Sequence, residues 1–354
     1  WQDLIKTDLG QNIKSKLLIL IDDRNQIFFS TRALGAAAKN EELVRLFTEL
    51  NYDVQLKKFS QVDLFNENYK GFLVLYQSTE DPGLLYKDYI EDILLGLQLQ
   101  GAIIIPEFKY FRAHHNKVFM EILRPLFDKS KNLLSQFLGT FEELTEVKEK
   151  FKFPLVLKTS KGAKSDGVFL VKNMNELLSV AKKATRSFAF ENIRMFVKSI
   201  FKNKKYLYFS NYRRKIILQK YIPGLVGDFK VLIYWDKYYI VERKNRINDF
   251  RASGSGILRF PEDVNVPLLE YSMNIFNTAK VPYMGLDIAI KDGKFYLLEF
   301  QFVGMGNYAL EKSDFYFAKD NEKWDKVYKK SVLENEIVRS LDRFIKIYVV
   351  SNNN

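Results

Sequence analysis

The sequence predicts a mixed α/β protein: a small domain built on a parallel sheet, then α+β subdomains that end near an acidic hairpin. Three observations predict this. Up to Pro106, short apolar runs alternate with segments of helical spacing, the pattern of a parallel α/β sheet. Beyond Pro106 that alternation gives way to helices and to strands in quick succession. Finally, GLDIAIKDGKFYLLEFQ (285–301) reads as two strands joined at Asp292-Gly293, a strong hairpin signal. A chain of 354 residues accommodates two or three domains, and 47% hydrophobic with 28% charged residues is ordinary globular composition.

Taken in order, LLILID (17–22) reads as a buried strand, and Asn40 to Leu50 as an amphipathic helix before a strand near Val54. GFLVLY (71–76) is a further apolar strand. Tyr86 to Leu99 has helical spacing and leads to a short strand, Ala102 to Ile105, closed by Pro106. Asn116–Phe127 and Phe141–Lys148 read as helices. Leu155–Lys158 and Val168–Val171 read as strands flanking a polar turn, 159–167. Asn173 followed by Glu176 marks a helix start, continued by Leu177–Ala184. Strands follow at 216–222, 229–234 and 238–243, then a helix at 264–279, the hairpin, and a helix at 334–348. Apart from the Asn tail at 352–354 the sequence shows no low complexity, and it shows no internal repeat.

With no cysteine, the chain has no disulfide scaffold, thiolate zinc site or cysteine nucleophile. Its longest apolar runs are far too short to span a bilayer, and no leader pattern opens it at Trp1. These features fit a cytoplasmic protein. The net charge of +12 attracts polyanions. Much of the excess lies between Lys198 and Lys220, where Lys202, Lys204, Lys205, Arg213, Arg214 and Lys215 are interleaved with Tyr206, Tyr208, Phe209 and Tyr212. Such a run reads as a solvated loop or as a single-strand nucleic-acid surface. The adjacent His114 and His115 do not share a helical face, so they read as structural or surface residues and not as a metal pair.

The hairpin carries the strongest chemistry. Glu299 and Gln301 are two apart and share a strand face, and Asp287 lies on the partner strand. A two-residue turn would place Asp287 and Glu299 on opposite faces; a three-residue turn ending in Gly293 would place all three side chains together. The second geometry makes an oxygen-lined site suited to Mg²⁺ with room for phosphates, while an exposed hairpin edge decorated with acids is the plainer alternative. Upstream, FPLVLKTSKGAKSDGV (153–168) runs from a strand ending at Lys158 into a loop whose glycines let backbone N–H groups approach phosphates. ILQKYIPG (217–224) is a strand running into a polar hinge and a Pro-Gly break, able to present backbone groups to an adenine edge. GDFKV (227–231) and RKNRINDFR (243–251) supply basic groups of the kind that clamp phosphoryl groups.

In this order the motifs resemble the ATP-grasp superfamily from Asn116 to Gly306, within the group of glutathione synthetase, ribosomal-protein glutamate ligase and D-alanine ligase. The resemblance implies a Rossmann-like N-terminal domain (1–112), a helical linker with the lid subdomain and phosphate loop (113–220), and a C-terminal subdomain with the metal site (221–354). It implies ATP and Mg²⁺ as cofactors, two ions with Mn²⁺ able to substitute. Lys117, Lys158, Ser160, Gly162, Gly167 and Asp228 would hold nucleotide, and Gln219, Lys220, Tyr221 and Ile222 would form the adenine hinge. Asp287, Glu299 and Gln301 would ligate metal, and Arg251, Arg243 and Lys230 would act catalytically. DFRAS (249–253) resembles the segment that approaches the γ-phosphate. Two positions depart from the family pattern: Gln301 stands where Asn is usual, and Lys220 where Glu is frequent.

The implied reaction joins a carboxylate to an amine through an acyl-phosphate. The substrates would be small molecules, and the basic surface hints that one is acidic. The family's frequent dimers suggest a homodimer. The alternatives are an inactive or nucleotide-binding protein that grips nucleic acid or an acidic glycan through 198–220, with nucleic acid the less favoured partner, and an ATP-grasp phosphotransferase.

Overall fold

The computed structural model describes residues 14–28, 37–79, 81–130, 132–160, 167–187, 190–201, 210–247, 249–252 and 254–350. Strand β1 (Ser15–Ile21), helix α1 (Asn40–Glu49), β2 (Tyr52–Lys58), β3 (Leu73–Leu75), α2 (Leu85–Leu99) and β4 (Ile103–Ile105) form a four-stranded, wholly parallel sheet in the order β2-β1-β3-β4. The unbroken apolar run of β1 has a direct cause. Leu17, Ile19 and Ile21 pack into one core, while Leu18 and Leu20 point into a second core behind the sheet.

Two helices follow, α3 (Phe108–Ala113) and α4 (Lys117–Phe127), the latter capped by the Asn116 side chain, which accepts from the Phe119 amide. Next come β5 (Ser135–Leu138), α5 (Phe141–Val147), β6 (Leu155–Thr159), β7 (Val168–Val171), α6 (Met174–Thr185), α7 (Phe190–Phe201) and β8 (Ile216–Lys220). Four of these make an antiparallel sheet, β5-β8-β6-β7, whose inner face packs on α5 and α6. The Asn173–Glu176 signal is a true helix start: Asn173 accepts from the Glu176 amide (2.9 Å) and Glu176 from the Lys172 amide (2.8 Å).

The largest sheet comprises β9 (Gly227–Tyr234), β10 (Lys237–Lys244), β11 (Leu258–Arg259), β12 (Tyr283–Lys291), β13 (Lys294–Gln301), β14 (Tyr316–Asp320) and β15 (Lys323–Val327). Its order is β13-β12-β9-β10-β14-β15, with β11 paired to β10. Helices α8 (Val266–Ala279), α9 (Tyr308–Lys312) and α10 (Leu333–Phe344) accompany it. The β14–β15 hairpin, α3, α7 and α9 are elements that apolar patterning did not reveal. FAKDNEKWDKV (317–327) carries six charges on a half-exposed strand pair, so its alternation is masked.

Helix α10 joins the first and third sheets. Ile337 and Leu341 are completely buried in a core that also holds Leu17 and Phe47 from the N-terminal layer and Leu232 and Tyr283 from the large sheet. Polar contacts reinforce the junction: Tyr52 donates to Asp342 (3.0 Å), the Lys39 amide to Glu334 (2.8 Å), and Asn307 to the Phe28 carbonyl (2.9 Å). The two sheets therefore share one apolar seam. Ile337→Ala should cost about 2–5 kcal/mol of unfolding free energy, the range for truncating a buried aliphatic side chain. Denaturant unfolding checks this, and a loss under about 1 kcal/mol would mean that the seam collapses around the cavity.

Candidate active site

Of the two turns that the sequence allows, the acidic hairpin takes the shorter. Lys291 pairs with Lys294, so the turn has two residues, Asp292 (φ 49°) and Gly293 (φ 71°), both left-handed as that tight hairpin turn demands. A regular ladder would then place Asp287 and Glu299 on opposite faces. It does not, because a β-bulge intervenes: Ile288 pairs with Leu297, whereas Asp287 pairs with Glu299. Leu298 is the extra residue. Leu297 and Phe300 both turn into the core, while the successive side chains of Leu298 and Glu299 both face the cleft. The acids thus stand directly opposite each other through a bulge, without the three-residue turn.

Asp287 and Glu299 lie in the wall between two cavities of about 130 Å³ each. The first is largely apolar, lined by Leu133, Val156, Ile222, Leu225, Phe250 and Leu298, with Lys117, Lys158, Gln219, Lys220, Tyr221, Asp228 and Arg251 at its polar positions. The second is lined by His114, His115, Lys230, Arg243 and Gln301 among others, and shares Lys117, Asp287 and Glu299 with the first. Thirteen of the residues singled out from sequence therefore converge on two adjoining chambers. Ser160 lines neither; its carbonyl accepts from the Lys117 amide (3.1 Å) and its hydroxyl donates to Asn116 (3.3 Å), so it braces the start of α4. Gly167 also lies off the chambers, at the loop's far end. Its φ is 72°, its carbonyl accepts from the Thr159 amide (2.8 Å), and a Cβ there would fall 2.0 Å from the Thr159 hydroxyl. Gly162 with the rest of 161–166, the basic and aromatic residues at 202–209, and Ser253 lie outside the described residues.

Charge in the cleft is interleaved. Arg243 serves two carboxylates, Asp228 (2.6 and 2.8 Å) and Asp287 (2.8 Å). Lys230 stands 4.0 Å from Asp287, and Lys117 3.8 Å from Glu299. Burial opposes ionisation of Asp287, but the Arg243 and Lys230 charges outweigh it and hold the carboxyl below its usual range. Burial likewise depresses the Lys158 and Lys230 ammonium groups, against the pull of Glu299 and Asp287. Arg251 is different: it is half-exposed, paired with Asp249 (2.8 Å), and reaches the Val168 carbonyl at 3.4 Å.

Among the described residues no group of three or more His, Cys, Asp and Glu side chains could hold a metal ion. The donor set for a hard cation is instead two opposed carboxylates with the Gln301 amide two residues along the same strand, bordering an open chamber. That set fits Mg²⁺, which takes few protein oxygens and keeps positions for phosphate and water.

Several site residues escaped sequence reading. His114 and His115, expected to be structural or superficial, border the second chamber, their rings 4.2 Å apart. Glu121 and Arg124 form a buried pair (2.6 Å) beneath the hairpin, four and seven residues after Lys117. Leu298 carried a usable signal, since L-L-E-F breaks strict alternation. The Gln219 side chain turns away from a hinge role, donating to Ser135 (2.9 Å) and Glu121 (3.3 Å).

No family model and no curated protein matches the sequence. Solved structures do match in fold. The D-cycloserine synthetase DcsG aligns with a TM-score of 0.53 at 9% identity, over 93% of this chain and 100% of that one. D-alanyl-alanine synthetase A from Vibrio cholerae O1 biovar eltor str. N16961 gives 0.51 at 13% identity, over 94% and 99%. The ADP complex of purK, an N5-carboxyaminoimidazole ribonucleotide synthetase, gives 0.50 at 13% identity, over 85% and 73%. The chain has the ATP-grasp fold. Among the described residues no helix is long and apolar enough to cross a membrane.

Burial, with the charges of Asp287 and Glu299, pushes the Asp228 carboxyl up to about 6 despite Arg243, whose guanidinium is divided between two acids. Its bidentate contact with Arg243 argues the other way, and the shared cation is why burial prevails. The folded value exceeds the unfolded value of about 3.9. Asp228 therefore contributes stability that is complete below pH ~4 and is lost as pH rises through about 6. The unfolding free energy of the wild type relative to Asp228→Asn should fall between those limits. A relative stability that rises with pH in denaturant titrations would show that Arg243 keeps Asp228 ionised.

Proposed function

We propose that this chain is an ATP-dependent, Mg²⁺-requiring ligase that activates a carboxylate as an acyl-phosphate and couples it to an amine. The observation that carries the reading is the shared wall: one apolar chamber and one polar chamber meet at Lys117, Asp287 and Glu299. A nucleotide in the first would extend its phosphates toward that wall, and a carboxylate in the second would approach from the other side. The ADP held in the purK structure supports a nucleotide in this fold. We read the chain as three working units, 1–112, 113–220 and 221–354, each carrying one sheet.

The residues divide the work by chemistry. Ile222, Val156 and Leu298 offer apolar faces to a base, and the backbone at Lys220–Ile222 offers its edge hydrogen-bonding groups. Lys117 and Lys158 are buried amines whose positive charge an incoming phosphate would compensate, opposing the burial that depresses the Lys158 ammonium. Asp287, Glu299 and Gln301 would hold Mg²⁺, which when bound neutralises phosphate charge. Arg243 and Lys230, facing the second chamber, supply positive charge where a carboxylate and then an acyl-phosphate would sit. Arg251 borders the nucleotide chamber from the segment after β10, and there it would meet the terminal phosphate. Apolar walls exclude water that would hydrolyse the intermediate.

Phosphate release from Mg-ATP, assayed across carboxylate–amine pairs, tests this. Release should require both partners and fall at least about 100-fold in Asp287→Asn. ADP formation driven by one acceptor alone, with the phosphate kept on that acceptor and none released, would make the protein a phosphotransferase; failure to bind ATP would overturn the reading.

A further inference from the structure

The bulge at Leu298 has an unusual support. Strand β13 lies at the edge of its sheet, and among the described residues no strand covers its outer side. A bulge there is a local loss of ladder pairing in a strand already held from one side only. Arg124, on α4, reaches it: its Nη1 donates to the Leu297 carbonyl and its Nη2 to the Leu298 carbonyl (3.2 Å). Two further donors go to Glu121, Nε at 2.8 Å and Nη2 at 2.6 Å. Both side chains are buried. Glu121 in turn accepts from Gln219 of the nucleotide chamber (3.3 Å), and α4 begins at Lys117, which faces Glu299.

A buried ion pair is weak evidence for stability, because apolar side chains of similar volume often replace one without loss. Its geometry is the better guide to its purpose. Planar guanidinium donors fix two consecutive carbonyls in a way that apolar packing does not.

We propose that Glu121 and Arg124 are positioning residues: Arg124 clamps the Leu297–Leu298 bulge, and so holds the Glu299 carboxylate opposite Asp287, while Glu121 orients Arg124 and links the clamp to the nucleotide chamber. This rests on the reading of Asp287 and Glu299 as the Mg²⁺-binding acids. The clamp acts through backbone carbonyls and touches neither nucleotide nor metal.

The test is binding, measured without turnover. ADP affinity is determined by calorimetry in metal-free buffer and across a Mg²⁺ titration, for the wild type, Arg124→Met, Arg124→Lys and the double variant Glu121→Leu/Arg124→Met. Arg124→Met and the double variant should keep metal-free ADP affinity within about threefold, while apparent Mg²⁺ affinity falls about 10–100-fold, the usual cost of removing a residue that orients a metal ligand. Arg124→Lys, with one cationic head able to reach a carbonyl, should recover part of it. The double variant removes both members of the buried ion pair, so it decides the matter if Arg124→Met fails to fold. Unchanged Mg²⁺ affinity in either folded variant, equal loss of metal-free ADP binding, or failure of both to fold would overturn the proposal. A wild-type protein that binds ADP without any Mg²⁺ linkage would bring down the underlying reading first, before any variant is compared.

Discussion

One extra residue organises the cleft. A tight turn at Asp292-Gly293 sets the hairpin's register, and in that register Asp287 and Glu299 would sit back to back. Leu298 breaks the alternation once, turning Glu299 to the cleft while Leu297 and Phe300 both stay in the core. Two apolar anchors separated by two cleft-facing residues is a pattern that regular strand geometry forbids. The bulge also puts Leu298 in the wall of the apolar chamber, so one distortion shapes two compartments.

Bringing acids together in a half-dry cleft is unfavourable unless cations accompany them. The strands next to the hairpin provide them. Lys230 on β9 lies directly across from Asp287 in the ladder, and Arg243 on β10 pairs with Asp228 in the next register. Arg243 is more firmly charged than an ordinary arginine, because Asp287 and Asp228 together outweigh its burial. The longer separations, Lys230 to Asp287 and Lys117 to Glu299, hold the acids without saturating them. An arrangement of this kind is compensated when empty and still has oxygens to offer a ligand.

The fold was legible where burial is one-sided and periodic. The run at 17–22, the spacing in 40–50 and the Asn173/Glu176 start all correspond to elements that bury a single stripe or a full strand. The site was legible as a linear order of residue types, from Lys117 to Gln301. Its three-dimensional logic was not. The turn's length pointed toward opposed faces, and the bulge that overrides it left a single trace in the sequence, the break of alternation at Leu298. Glu121 and Arg124 acquire their places through contacts with residues 98 and 173 positions away, and His114 lines a chamber with residues of the large sheet, which no local period records. The charged hairpin at 316–327 was missed for the opposite reason, since half-exposed strands carry little apolar signal.

The proposed chemistry depends on Asp287 and Glu299 forming the junction between a nucleotide chamber and a second chamber. Methyl NMR with Mn²⁺ and a non-hydrolysable ATP analogue tests that most directly, since the paramagnetic ion broadens signals only near where it is held. Broadening should be strongest at Leu298 and Met120, which line the two chambers beside these acids, and absent at Leu97 and Ile104 behind the parallel sheet. No broadening, or broadening centred away from Leu298 and Met120, would contradict it.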